Sequence, residues 1–249
     1  MSEPARLYGL KALVINAGSG IGEAVARTLV KHGASVLAVD TADSGVERHY
    51  ESVRGIDGLT ANLCEPAAMP ALVEAAVERL GGIDILVADF PLQPAMPVSE
   101  AGDTLSTLLE RRAELVMALC RATLPQLKKS PAGRIINVGF LRSLFAANGS
   151  EASRHAEQNL ADITRALAAE TGSFGITANY VQPGAIMTPA SREVFRKDKS
   201  LRDYCIASSA ARRVGEPVDV AKVILFLASD DAVFVSGTGV AVDGGRTDV

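Results

Sequence analysis

The chain has 249 residues, 48% of them hydrophobic, and a formal net charge of -4. That length and apolar content suffice for one α/β domain with a substantial core, and mild acidity without a run of like charge argues against nucleic acid or an anionic membrane as partner, leaving a small-molecule ligand as the expectation. The opening Met1-Ser2-Glu3-Pro4-Ala5-Arg6 carries no apolar signal core and no apolar run approaches membrane-spanning length, so a soluble, cytoplasmic protein is expected.

In chain order, short apolar runs alternate with longer helical patterns. Strands are predicted at 12–15, 35–39, 59–62, 83–88, 134–138, 177–181 and 240–242. Helices are predicted between them at 20–32, 66–80, 103–128, 151–172 and 218–228, with a less regular helical pattern at 44–53. This alternation is the pattern of a parallel sheet covered by helices. Gly33, Gly81-Gly82, Gly133 and Gly172 stand where C-capping glycines belong. No repeat, low-complexity tract or linker divides the chain, so residues 1–249 are expected to form one unit. The polar, charged stretch 188–210 interrupts the alternation and suits a flap over a pocket. Cys64, Cys120 and Cys205 lie far apart without metal-ligand spacing, which predicts free thiols, and no His/Asp/Glu spacing supports a metal. His32 and His49 read as solvent-facing or helix-terminal.

The first strand runs into Asn16-Ala17-Gly18-Ser19-Gly20-Ile21-Gly22 and then a helix. Gly20 would let the backbone approach a pyrophosphate, Gly22 would let the helix pack on the sheet, and the helix N-terminus from Ser19 through Ile21 would present oriented N–H groups to phosphate. Asp40 follows Gly20 by twenty residues, at the end of the second predicted strand. A carboxylate there accepts hydrogen bonds from adenosine ribose hydroxyls and repels a 2′-phosphate, which favours NAD over NADP.

On these motifs the chain resembles the short-chain dehydrogenase/reductase superfamily over nearly its whole length. The family's Thr-Gly-x-x-x-Gly-x-Gly turn corresponds to Ile15-Asn16-x-x-x-Gly20-Ile21-Gly22, with Asn16 at a glycine position; Asn is among the residues that best tolerate positive φ. The adenine-contacting Asp-Val corresponds to Asn62-Leu63, and Asn-Asn-Ala-Gly to Ala88-Asp89-Phe90-Pro91. Asn179-Tyr180-Val181-Gln182-Pro183-Gly184-Ala185-Ile186-Met187-Thr188 resembles the nicotinamide-side loop, and Val242-Asp243-Gly244-Gly245 the terminal strand. The resemblance implies a single Rossmann-type doubly wound α/β domain with a seven-stranded parallel sheet flanked by helices. It further implies dinucleotide contacts from Pro183 and Gly184 and carboxamide contacts from Ile186 and Thr188.

The family reduces carbonyls with a tyrosine, a lysine four residues later, a serine and an asparagine. By resemblance those positions hold Ser153, Glu157, Phe140 and Arg112. None of Tyr8, Tyr50, Tyr180 and Tyr204 has a lysine four or seven positions on. A serine hydroxyl beside a carboxylate is a poor proton donor, and general acid–base assistance is typically worth about 10²–10⁴-fold, so orthodox carbonyl reduction is expected to be weak or absent. Arg112 is expected to pair with Glu157 or Asp89, or else Asp89 and Glu157, with His155, form a new acid–base site. Two further readings stay open: a non-redox lyase or dehalogenase-like enzyme on this scaffold, and a ligand-binding pseudoenzyme. The resemblance also implies a homotetramer or homodimer, paired through the helices at 103–128 and 151–172. Leu105, Leu108, Leu109, Ala161, Ile163 and Ala168 would serve that pairing, or equally packing against the chain's own sheet. Substrate specificity would lie at 90–98 and in the flap.

Overall fold

The computed structural model describes residues 6–91, 105–139 and 151–246, the side chains of 105–106 and 151–157 excepted. Seven strands form one sheet: β1 (Lys11–Ile15), β2 (Ser35–Asp40), β3 (Ile56–Thr60), β4 (Ile85–Ala88), β5 (Arg134–Val138), β6 (Thr177–Pro183) and β7 (Gly239–Val242). Their order is β3-β2-β1-β4-β5-β6-β7 and every neighbouring pair is parallel. Central strands such as β4, whose residues are all buried, carry unbroken apolar runs because helices cover both faces. Alternate residues of β3 and β7 remain exposed, as befits edges.

Helices α1 (Gly20–Lys31), α2 (Val46–Tyr50) and α8 (Pro217–Ala228) cover one face, and α3 (Met69–Leu80), α4 (Leu105–Leu127) and α5 (Glu151–Thr171) the other. Ile21, Val25, Ala26 and Leu29 of α1 recur at helical spacing and face the sheet. Leu109 of α4 and Ala161 of α5 are buried, and Ile163 and Ala168 pack on the same core. Ile163 and Ala168 therefore serve the chain's own core. The side chain of Leu105 lies outside the described residues.

Two expectations need correction. β3 begins at Ile56 and ends at Thr60, earlier than 59–62: Gly58 lets α2 cross close over the strand, since a Cβ there would lie 2.7 Å from Glu47 Cα. Asn62 instead folds back, its Oδ1 accepting from the Cys64 N–H at 2.9 Å. β4 starts at Ile85 rather than 83, because Asp84 turns its carboxylate to the Lys11 N–H at 2.8 Å. The flap is helical: α6 (Pro189–Lys197) and α7 (Lys199–Ala207) fill most of it. Both have side-chain caps, Thr188 accepting from the Ser191 N–H and Asp198 from the Leu201 N–H. The three cysteines are free. His32 caps α1 and is buried, whereas His49 is exposed on α2. No helix among the described residues is long and apolar enough to cross a membrane.

Candidate dinucleotide cleft and its altered floor

The connections reverse direction between β1 and β4, so the carboxyl ends of these two strands flank a crevice, the place where open parallel sheets bind ligands. The residues following each strand meet across it: Asn16 Nδ2 donates to Asp89 Oδ2 at 3.3 Å. Asn16 has φ 58°, the left-handed conformation that glycine would otherwise supply. Gly22 packs so tightly on this turn that a Cβ would lie 2.1 Å from the Asn16 carbonyl oxygen. Beyond it, a Cβ on Gly20, itself at φ 61°, would lie 3.3 Å from Thr188 Cγ2. The turn is thus a bare backbone cradle at the start of α1. Ser19 occupies the N-cap position without using its side chain as a cap.

Asp40 closes the cradle on the β2 side and is 6% exposed. Its Oδ2 accepts from the Gly18 N–H at 2.7 Å and its Oδ1 from the Thr41 N–H at 2.7 Å. Leu63, buried, lines an open cleft together with Cys64, Pro91, Leu108, Arg111, Arg112 and Leu115; Asn62 beside it in the chain is exposed. On the far side, the Gly184 N–H donates to the Val242 carbonyl as Pro183 ends β6. Ile186 pairs with Gly215 and is buried. The Thr188 hydroxyl is engaged in a reciprocal cap with Ser191, whose Oγ also donates to the Ile186 carbonyl at 2.6 Å. Ser191 was not singled out in the sequence, although Thr188-Pro189-Ala190-Ser191 has the spacing of a capping box.

The floor of the crevice carries charge. Arg112, 6% exposed, donates through Nε to the Phe90 carbonyl at 2.5 Å and through Nη2 to the Val138 carbonyl. It therefore staples the loop after β4 to the end of β5. Burial pushes the Asp89 carboxyl up to about 6, with Asp40 adding to the rise, against the pull of the Arg112 guanidinium and the Asn16 amide. Burial in turn lowers the Arg112 guanidinium, and Asp89 partly restores it. Arg112 and Asp89 are thus electrostatic partners, while the guanidinium's hydrogen bonds go to backbone. Ser153, His155 and Glu157 fall on α5, but their side chains lie outside the described residues, as does Phe140 altogether. The tyrosines have other surroundings: Tyr8 is 85% exposed, Tyr180 packs over Gly239, Tyr204 sits on α7, and the Tyr50 hydroxyl donates to the Ala17 carbonyl.

Residues 15–247 match the family model described as enoyl-(acyl carrier protein) reductase. The chain belongs to the short-chain dehydrogenase/reductase family. This short-chain dehydrogenase/reductase is 31% identical over 241 residues to the 3-oxoacyl-[acyl-carrier-protein] reductase FabG of Vibrio cholerae and 33% identical over 255 residues to that of Pseudomonas aeruginosa, each alignment covering 96% of this chain and 98% of the relative. It is also 32% identical over 247 residues to the short-chain reductase protein NovJ of Streptomyces niveus, covering 94% of this chain and 93% of that one.

Proposed function

We propose that this short-chain dehydrogenase/reductase binds a nicotinamide dinucleotide, prefers NAD to NADP, and does not reduce carbonyls by the tyrosine–lysine route. The observation that carries the reading is the Asp40 carboxylate, buried at the end of β2 and bonded to the Gly18 N–H of the glycine turn at 2.7 Å. Ribose hydroxyls can donate to the lone pairs left on its two oxygens, whereas a 2′-phosphate would meet like charge in a partly desolvated site. Asn16, Ser19, Gly20, Ile21 and Gly22 would hold the pyrophosphate, Leu63 and Asn62 the adenine end, and Pro183, Gly184, Ile186 and Thr188 the nicotinamide end. The bound cofactor would supply or accept hydride; the chain's contribution is to orient it and manage the proton.

That second task is where this chain departs from what its relatives' names describe. Reduction of a 3-oxoacyl group requires a proton at the developing alkoxide. Ser153, Glu157 and Arg112 stand, by resemblance, at the tyrosine, lysine and asparagine positions. The one titratable group in the described crevice poised near neutrality is Asp89, at about 6, beside the Arg112 cation; any proton-transfer role falls to this pair.

Calorimetric titration with NAD⁺ and NADP⁺, paired with a reductase assay on a 3-oxoacyl thioester, tests the reading. Binding of NAD⁺ at least about ten-fold tighter than NADP⁺ is expected, with turnover lower than that of the Vibrio cholerae relative by about 10²-fold or more. Binding of neither nucleotide, or turnover matching the relative's, would overturn it.

A further inference from the structure

One peptide in the cradle is held at both edges. The Ala17 carbonyl accepts from the Tyr50 hydroxyl at 2.6 Å, and the N–H of the same peptide, on Gly18, donates to Asp40 Oδ2 at 2.7 Å. Because a peptide is planar and its C=O and N–H point to opposite edges, fixing one direction fixes the other. The Ala17 N–H, meanwhile, donates to the Val39 carbonyl at 3.1 Å, so the plane has little freedom left. Gly18 is what allows the approach: a Cβ there would lie 2.7 Å from Asp40 Oδ2 and 2.9 Å from Ser44 Cβ.

Tyr50 itself is firmly seated. It is 2% exposed and belongs to the core under α1 and α2. The His49 ring meets it edge-on at 4.8 Å, and the Arg27 guanidinium lies 5.6 Å from its centroid. Glu23 Oε1 on α1 binds both neighbours, Arg27 Nε at 2.8 Å and His49 Nε2 at 2.9 Å, so α2 is tied to the helix whose N-terminus forms the cradle. Burial raises the phenol's pKa further above its ordinary value, which leaves the hydroxyl a donor throughout the working range.

We infer that Tyr50 is a positioning residue for cofactor choice: by holding the Ala17 carbonyl it aims the Gly18 N–H at Asp40 and fixes the carboxylate that distinguishes a ribose hydroxyl from a ribose phosphate. The inference rests on the reading of Asp40 proposed above. Without the hydroxyl, the Ala17 carbonyl loses its partner in a buried setting, the peptide plane can tilt, and the Gly18 N–H no longer fixes Oδ2, leaving Asp40 held only through Oδ1 by Thr41.

The test is calorimetric titration of NAD⁺ and NADP⁺ against the full chain and the variants Tyr50→Phe, Asp40→Asn and the double substitution, with a thermal melt of each. Tyr50→Phe should weaken NAD⁺ binding about five- to ten-fold and NADP⁺ binding less than about two-fold, so that the preference narrows. In the Asp40→Asn background the same change should leave the preference where it was, the coupling expected of groups acting through one peptide. Gly18→Ala, which displaces Asp40 without touching Tyr50, should narrow the preference as well and replaces Tyr50→Phe if that variant does not fold. An unchanged preference in Tyr50→Phe, with or without a lower melting temperature, overturns this inference alone. A full effect in the Asp40→Asn background does the same. Failure of the unsubstituted chain to bind either nucleotide overturns this inference and the functional reading together.

Discussion

Asp89→Asn should make this protein more stable, and by an amount that depends on pH. The carboxyl's pKa rises from an ordinary 3.8 to about 6 in the folded chain, so the folded state binds its proton more tightly than the unfolded state does. Its contribution is therefore fully present below the unfolded value of 3.8 and is lost as pH rises through about 6. A shift of that size corresponds to about 3 kcal/mol at most between pH 4 and pH 7, at roughly 1.4 kcal/mol per unit. Asparagine keeps the shape and an oxygen to accept from Asn16, but carries no charge to desolvate. Denaturant unfolding of both proteins, run at intervals from pH 4 to pH 8, isolates the effect because other titrating groups cancel in the difference. The two should be nearly equal at pH 4, the variant's advantage should grow to about 2–3 kcal/mol, and it should be flat above pH 7. A pH-independent difference, or an unsubstituted chain that is the more stable at pH 7, would refute the reasoning.

Other perturbations probe the cradle and the flap. Gly22→Ala would drive a methyl to 2.1 Å from the Asn16 carbonyl oxygen, so α1 must move off the turn; nucleotide binding by calorimetry should fall more than about ten-fold and the melting temperature should drop. Ser191→Ala removes the Oγ that accepts from the Thr188 N–H and donates to the Ile186 carbonyl, leaving only the Thr188 half of the capping box. It should cost about 1 kcal/mol, seen as earlier local opening of α6 in hydrogen exchange, with the amides of β1 and β4 protected as before.

The parts of the fold that follow from local pattern were legible. Apolar runs announce β1, β2 and β4; β5 and β6 show through despite Asn137, Asn179 and Gln182, and the turn from Asn16 to Gly22 is recognisable because its chemistry is carried by neighbours in the chain. The bounds of β3 depend on Gly58, whose place in a strand makes sense only once α2 is seen crossing over it. The helices of the flap escaped notice because their sequences are polar and charged, their formation resting on caps at Thr188 and Asp198 and not on a wide apolar stripe. In the site, Asp40 and Asp89 were nameable from spacing and resemblance. Their bonds were not: the partners of Arg112 are carbonyls 22 and 26 positions away, and the Tyr50 hydroxyl reaches back 33 positions to Ala17. A backbone acceptor leaves no mark on the sequence, and at Tyr50 the only hint is its i,i+4 spacing from Val46 on the buried side of α2.

The tether at the far end of the flap also has a mechanical meaning. The N–H groups of Ala210 and Ala211 donate to the Gly245 and Gly244 carbonyls, and Ser209 bridges to Arg246, while the near end is pinned by the Thr188–Ser191 cap. The helical pair is thus fastened at both ends, by the Ile186–Gly215 bridge in the loop after β6 and by the strap after β7. So long as both hold, the pair cannot swing away as a free arm without breaking backbone hydrogen bonds at one end.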